Sequence, residues 1–413
     1  IDESKLELPM WMQEKFIKDK QGRRPTDKGY DPTTIHVPSD EKLLAPPIIK
    51  QYLDAKSNHW DKLVAFKVWK FYYFYYNDAL IVKRLCDVPL HIKQKRFYCF
   101  FHEAMLQKFA PILVEKGHKL VLVEQMEETV QKQTDLIRRE VCQILTRGTY
   151  FENQALDYDS QFVLCIIKDK ENPDFGIVFL DATTHEFHIG QFKDDKNYSN
   201  LRTLITRFKP VEIVTLNSNL PQECLNMFNS MPNKPTITTL SPAGYPKRIG
   251  DIFSTIKPYF HRKEAKQTKL PQYLEQIKLS FDAEAKSVNM DDDKVKRLEK
   301  KSPFYYAMQT LSLAVDYLKN IMLADTVFSM GNFLPYDLAL EKQGTLYLDS
   351  QALENLEILD VNYAHNLSSS RSLFGYMDKT VTGFGRRLLK RWIASPTFDA
   401  EKIKERLDAV DDL

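Results

Sequence analysis

Phe71 and Tyr73 lie two residues apart in Trp69-Lys70-Phe71-Tyr72-Tyr73-Phe74-Tyr75-Tyr76, where seven of eight residues are aromatic. Flat rings held in a row can stack on nucleic-acid bases, because every base has a π-face. On a strand alternate side chains share a face, so Phe71, Tyr73 and Tyr75 point one way and Tyr72, Phe74 and Tyr76 the other. One row can pack inward while the other presents rings outward. An aromatic-rich hairpin core is the competing reading, and composition alone favours it. Lys70, Lys83, Arg84, Lys93, Lys95 and Arg96 cluster nearby and are candidates for phosphate contacts, although such side chains are common on any surface. Residues 46–150 hold 17 Lys and Arg against 11 Asp and Glu. That local excess hints at an anionic partner, and a solvated surface accounts for it equally well.

Other chemistries lack their residues. There is no Gly-x-x-x-x-Gly-Lys-Ser/Thr phosphate loop, no Gly-x-Ser-x-Gly, no His-Glu-x-x-His and no Cys-x-x-Cys. Only His185 and His188 fall close together among the nine histidines, and no metal or catalytic residue is expected. The five cysteines are an odd set without finger spacing, which fits a reducing compartment better than a disulfide framework. No apolar run approaches the roughly 20 residues that span a bilayer, so no membrane partner is expected. The chain opens on Ile1 and stops in a charged helical pattern, as a segment of a longer protein would.

The elements that position the aromatics can be read in order. Residues 1–45 are polar and proline-bearing and read as an extended arm or linker. A helix over Pro47–Ala55 leads to an apolar strand, Leu63–Val68, and a tight turn then makes the aromatic stretch the second strand of a hairpin. Asn77 or Asp78 is suited to cap the helix that follows, to about Leu85. His102–Glu115 reads as a helix closed by Gly117, and Lys119–Glu124 and Val141–Thr146 as strands. From about 156 three consecutive strands, Phe162–Lys168, Gly176–Asp181 and Glu186–Phe192, precede alternating helices and strands: Leu201–Phe208, Val211–Thr215, Gln222–Asn229 and Thr236–Thr239. That order is ribonuclease-H-like. A nuclease of that fold needs clustered carboxylates for two metal ions, whereas here only Asp181, Asp194, Asp195 and Glu212 are scattered near strand ends. Residues 262–302 are highly charged and read as an exposed helix or linker. Phe304, Met308, Leu311, Val315, Leu318 and Met322 recur at helical spacing and predict an amphipathic helix with one buried stripe. Short helical elements at Leu353–Ile358, Leu373–Lys379 and Gly383–Trp392 complete the chain, the last with Arg386, Arg387, Lys390 and Arg391 as a basic side.

With these motifs in order, the chain resembles the MutS family of DNA mismatch-recognition proteins, nearest its eukaryotic homologue-six branch. Val68–Ala79 is similar to the family's minor-groove hairpin, Lys116–Gln125 to a strand closing the mismatch-binding domain, and Arg138–Thr149 to the exit from it. Leu353–Ile358 and Thr382–Trp392 resemble the start of its lever, and Gly22–Pro25 with Tyr30–Pro38 favour the branch. The resemblance implies a multidomain α/β protein. It would comprise an arm (1–45), a mixed α/β mismatch-binding domain (46–155), a non-catalytic ribonuclease-H-like connector (156–275) and the start of an all-helical lever (276–413). It further implies a nuclear subunit that binds double-stranded DNA bearing mismatches or small loops, paired with a MutS homologue two-type subunit. No cofactor would bind this segment. ATP and Mg2+ would serve the full-length protein, a DNA-dependent ATPase whose ATPase domain lies outside these residues.

The family's reading motif is Phe-x-Glu preceded by Gly, with the Phe wedged beside the mismatched base and the Glu bonded to it. Phe71 matches the Phe. Tyr73 stands where the Glu would, and Trp69 where the turn Gly would. A phenol can stack and make one hydrogen bond but carries no charge at neutral pH, so non-specific binding would rise while discrimination falls. A paralogue that assembles with its partner and binds DNA without reading the mismatch is the alternative that Tyr73 raises. The stretch Asp87–Phe101 is also shorter than is usual in the family.

Overall fold

The computed structural model describes residues 6–94, 96–126, 137–150, 161–182, 184–260, 270–286, 299–336, 344–360 and 372–412, divided into two units, Ile1–Tyr150 and Phe151–Leu413. In the first unit, α1 (Ser39–Leu44) and α2 (Pro47–Asn58) precede β1 (Leu63–Val68) and β2 (Phe71–Tyr75). Pro47 opens α2 at a position where its missing N–H is no loss. Then come α3 (Asn77–Cys86), β3 (His91–Lys93), β4 (Arg96–His102), α4 (Leu106–Glu115), β5 (Leu120–Gln125) and β6 (Arg139–Leu145). The strands form one mixed sheet in the order β3-β4-β2-β1-β5-β6. Only β1 and β5 run parallel. Gly117 closes the α4 region at φ 85°, a left-handed conformation that costs glycine no Cβ clash.

Three expectations for this unit change. The β3–β4 hairpin was not anticipated, although Arg96–His102 alternates in burial as a half-buried strand does. The segment expected as an extended arm is folded over its described part. Ile35 and Asp19 are fully buried, Ile35 N donates to Ser57 O at 3.0 Å, and Trp60 N donates to Thr33 O at 2.8 Å. Asp19 gathers the N–H groups of Gln21, Arg23 and Asp31 together with the Arg23 guanidinium; burial pushes its pKa up, and the Arg23 and Asp31 contacts outweigh this and lower it. Finally, neither Asn77 nor Asp78 caps α3 through its side chain, and Tyr76 is the N-cap residue. Asp78 is drawn inward instead, where its Oδ1 meets Lys56 Nζ at 2.8 Å and its Oδ2 accepts from Val64 N at 3.0 Å. Burial raises the Asp78 pKa, and the Lys56 ammonium and the Val64 N–H oppose that rise.

The second unit is built on β7 (Phe162–Lys168), β8 (Asp174–Asp181), β9 (Glu186–Lys193), β10 (Glu212–Leu216) and β11 (Thr236–Leu240). The first three are antiparallel, and β10 and β11 run parallel to β7, as the strand order predicted. Between and after them lie α5 (Ser199–Phe208), α6 (Gln222–Asn229), α7 (Ile249–Ile256), α8 (Gln272–Lys286) and α9 (Tyr305–Asn320). α8 buries Leu274, Ile277 and Phe281, so this part of the charged stretch is a packed helix. Asp291, Asp292 and Asp293 lie outside the described residues. The centre of the predicted stripe, Met308, Leu311, Val315 and Leu318, falls on α9, while Phe304 precedes the helix and Met322 lies beyond it, exposed. Yet nearly every residue from Tyr305 to Leu318 is buried. The helix sits against β7, β8 and α7, so it has no broad solvent face. Gly176 permits that approach, since a Cβ there would lie 2.1 Å from Tyr306 O. After α10 (Ala324–Ser329), β12 (Asn332–Pro335) adds to the sheet beside β9, so a segment read as helical lever supplies both a helix and a strand to this sheet.

The carboxylates weighed for a nuclease serve the fold. Asp194 accepts from the N–H groups of Asp195, Asn200 and Leu201, Asp195 from those of Asn197 and Ser199, Glu212 from Thr238 Oγ1, and Asp181 from Thr184 N. The chain continues through α11 (Ser350–Asn355), α12 (Leu373–Met377), α13 (Gly383–Ala394) and α14 (Ala400–Asp411). Among the described residues no helix is long and apolar enough to cross a membrane.

Candidate nucleic-acid interface

Strand register assigns the aromatic rings to faces. Tyr73 pairs with Phe100, Phe71 with His102, Tyr75 with Tyr98, and Tyr98 with His91. Directly paired residues share a face, so these seven side chains form one aromatic surface. The opposite face holds Tyr72, Phe74, Phe97, Cys99 and Phe101, all buried. There α3 lies over the sheet, with Cys99 Sγ 3.6 Å from Ala79 O.

The first face is covered at one end and open at the other. Tyr52 of α2 packs on Tyr75 at 4.6 Å and on Phe66 at 5.9 Å between ring centroids, which buries both. Phe71 and Tyr73 remain half-buried. Phe71 meets Phe100 at 5.5 Å and His102 at 5.4 Å, both nearly edge-on, a geometry in which the positive ring edge faces a negative ring face. Tyr73 instead lies close to parallel with Phe100 at 5.0 Å and 22°, and with Tyr75 at 6.2 Å and 20°. His91 continues the stack on Phe100 at 5.1 Å. Partial burial, then the neighbouring Tyr98, raises the Tyr73 phenol pKa, so it is a neutral donor or acceptor at physiological pH.

The turn between β1 and β2 consists of Trp69 and Lys70 alone, because Val68 pairs directly with Phe71. Trp69 has φ 57°, the positive value that two-residue hairpin turns demand and glycine usually supplies. Here a Trp adopts it, although this region disfavours residues with a side chain. The turn is braced from the chain beyond β4, where Glu103 N donates to Lys70 O at 2.8 Å. Lys67 Nζ bridges Glu103 at 2.9 Å and Glu124 at 3.0 Å, and Tyr72 Oη bonds Glu124. Burial disfavours the Lys67 charge, but these two carboxylates outweigh it and raise its pKa. Arg139 Nε donates to Lys67 O at 2.6 Å, so β1 is held from the β6 side as well.

The cations do not all gather with the rings. Lys93 and Arg96 pair with each other across the β3–β4 turn in the register that places them on the face of Phe71 and Tyr73. Lys70 is exposed at the β1–β2 turn. Lys83 and Arg84 belong to the last turn of α3, the helix covering the opposite face. Lys95 lies outside the described residues. Tyr98, Phe100, His102 and His91 complete the aromatic face, which local sequence reasoning misses. The apolar run Phe97–Phe101 is the signal that could have shown a strand there, but its pairing with β2 is long-range.

Three family models match the chain, together over more than half of it: MutS domain I over residues 46–154, MutS domain II over 161–241 and MutS domain III over 351–413. The chain is 28% identical to the human DNA mismatch repair protein Msh6 over 98% of its own length and 31% of that protein. It is 29% identical to Arabidopsis thaliana MSH6 over 95% of the chain and 31% of that protein. It is 27% identical to the DNA mismatch repair protein MutS of Caldanaerobacter subterraneus over 90% of the chain and 38% of that protein. The chain thus spans about a third of the length of these relatives. An aromatic hairpin within a domain I match, a mixed sheet within a domain II match and a domain III match follow one another in this order, and the chain belongs to the MutS family.

Proposed function

We propose that this chain is the DNA-engaging part of a mismatch-repair recognition subunit, and that its β1–β2 hairpin enters the minor groove with Phe71 as the wedge. The observation that carries this reading is the half-open aromatic face, with Phe71 beside the hairpin turn and its ring held edge-on by Phe100 and His102. An apolar side chain inserted from the minor groove unstacks a base step and bends the duplex, which costs least where stacking is already weak. Tyr73, on the same face, contacts the same base pair. Lys70, at the hairpin turn, would meet a phosphate beside it, whereas Lys93 and Arg96, at the other end of β4 from His102, would meet phosphates farther along the duplex. Lys83 and Arg84 would do so only where the duplex reaches the helical side, and Lys95 remains a candidate by sequence alone.

The relatives named Msh6 support a nuclear protein acting in DNA mismatch repair beside a MutS homologue two-type subunit. This segment performs no catalysis in that reading. ATP and Mg2+ are assigned to the family's ATPase domain, which none of the three matched segments represents. The test is binding to a G·T duplex and to its matched counterpart, for the wild-type chain and Phe71→Ala. Loss of the mismatch preference in the variant supports the wedge, and an unchanged preference refutes it. One observation favours a second reading, a paralogue that binds without reading the mismatch: Tyr73 already stacks on Phe100 and Tyr75 within the protein. Equal wild-type affinity for both duplexes would select it.

A further inference from the structure

We infer that Trp69 is a third DNA-contacting aromatic, at the hairpin tip, its indole lying against the minor-groove edge of a nucleotide next to the step that Phe71 opens; this rests on the hairpin reading above. Eleven non-glycine residues have positive φ among the described residues, and three of them are Trp or Tyr: Trp69, Tyr76 and Tyr198. The protein's own interior occupies two of the three. Tyr76 is buried, and Tyr198 packs on the core of the second unit. Trp69 is 75% exposed. It makes no ring–ring or cation–π contact with the described residues. An indole in water, on a backbone conformation that disfavours side chains, gains little from the fold around it.

Its place suits duplex DNA. Trp69 precedes Phe71 by two residues within the turn, so their Cα atoms lie within the extended-chain span of about 6.8 Å, no farther apart than about two base-step rises of about 3.4 Å. The turn is held by Glu103 N on Lys70 O, so the indole is presented by a braced hairpin. Lys70 stands between the two aromatics, exposed. An aromatic ring with an adjacent ammonium matches a nucleotide, which offers a π-face or sugar edge next to a phosphate.

The test uses the 413-residue chain with G·T and matched duplexes, reading labelled-duplex anisotropy and tryptophan emission. The part of the emission that disappears in Trp69→Phe is expected to be quenched on DNA binding. Trp69→Gly is expected to bind the mismatched duplex roughly tenfold more weakly, toward the low end of what one aromatic contact with a base contributes, and Trp69→Phe to keep most of the affinity. The Trp69→Gly thermal midpoint should not fall, since glycine accepts φ 57° without strain, so weaker binding would not be a folding defect. Unquenched Trp69 emission in the bound wild type, or wild-type affinity in Trp69→Gly, overturns the inference. If Phe71→Ala meanwhile loses the mismatch preference, the wedge reading survives that failure. If the wild type binds neither duplex, both fall.

Discussion

Tyr73→Glu restores the carboxylate that the family motif carries, and its effects on stability and on binding can be sized separately. Tyr73 has three ring neighbours, Phe100 at 5.0 Å, Tyr98 at 5.9 Å and Tyr75 at 6.2 Å. An aromatic pair contributes about 0.5–1.5 kcal/mol beyond area burial. Three pairs sharing one ring do not add fully, so losing them should destabilise the chain by about 1–3 kcal/mol. The position is half-open, so the new carboxylate can reach water and need not be buried uncompensated. On the DNA side, a negative charge facing phosphates offsets about one phosphate contact. The slope of log affinity against log salt should become shallower by about 0.9, with weaker binding to matched duplex at low salt. The mismatch-to-match ratio should rise, because the carboxylate accepts hydrogen bonds from an exposed base edge. Urea unfolding measures the first effect, and anisotropy titrations across a salt series on both duplexes measure the second. An unchanged salt slope together with an unchanged ratio would show that position 73 does not face DNA.

Lys56→Met would leave Asp78 buried without its ion pair, and Lys62 O and Trp60 O without the ammonium that bonds them at 2.6 and 3.2 Å. A loss of about 3–5 kcal/mol in urea unfolding is expected, and a loss below about 1 kcal/mol would contradict it. Adding Asp78→Leu should recover only part of this, because Val64 N–H then loses its acceptor. Burial, then the nearby Lys62, depresses the His59 pKa from 6.5 to about 4. The unfolded chain therefore takes up the proton first, so stability is complete above about pH 6.5 and is lost as pH falls toward 4. The ring is only partly shielded, so the loss should be about 1–2 kcal/mol. His59→Gln should flatten thermal-midpoint profiles over that window, and an unaltered profile would refute the assignment. Gly176→Ala places a Cβ 2.1 Å from Tyr306 O. The clash with a helix backbone should cost on the order of 3 kcal/mol, seen as a lowered thermal midpoint with secondary structure retained.

Local sequence alone sets the alternation that puts Phe71 and Tyr73 together, the tight turn before them and the strand-then-helix order of the second unit. Each follows from local periodicity and turn chemistry, which neighbouring residues settle among themselves. It also carried the family motifs and exposed the two substitutions, at 69 and 73, that distinguish this hairpin. Which face of the aromatic strand opens to solvent was left to tertiary structure, because aromatics on both faces remove the apolar–polar contrast by which alternation identifies the inside. Packing decided it: α3 over Tyr72 and Phe74 on one side, and Tyr52 over Tyr75 but not over Phe71 on the other. The same holds for Asp78, which composition makes a cap and a buried Lys56 makes an ion-pair partner. It holds again for α9, whose stripe is visible in sequence but whose other sides are buried by β8 and α7. These outcomes depend on groups far apart in the chain, and periodicity carries no record of which distant surface a residue will meet.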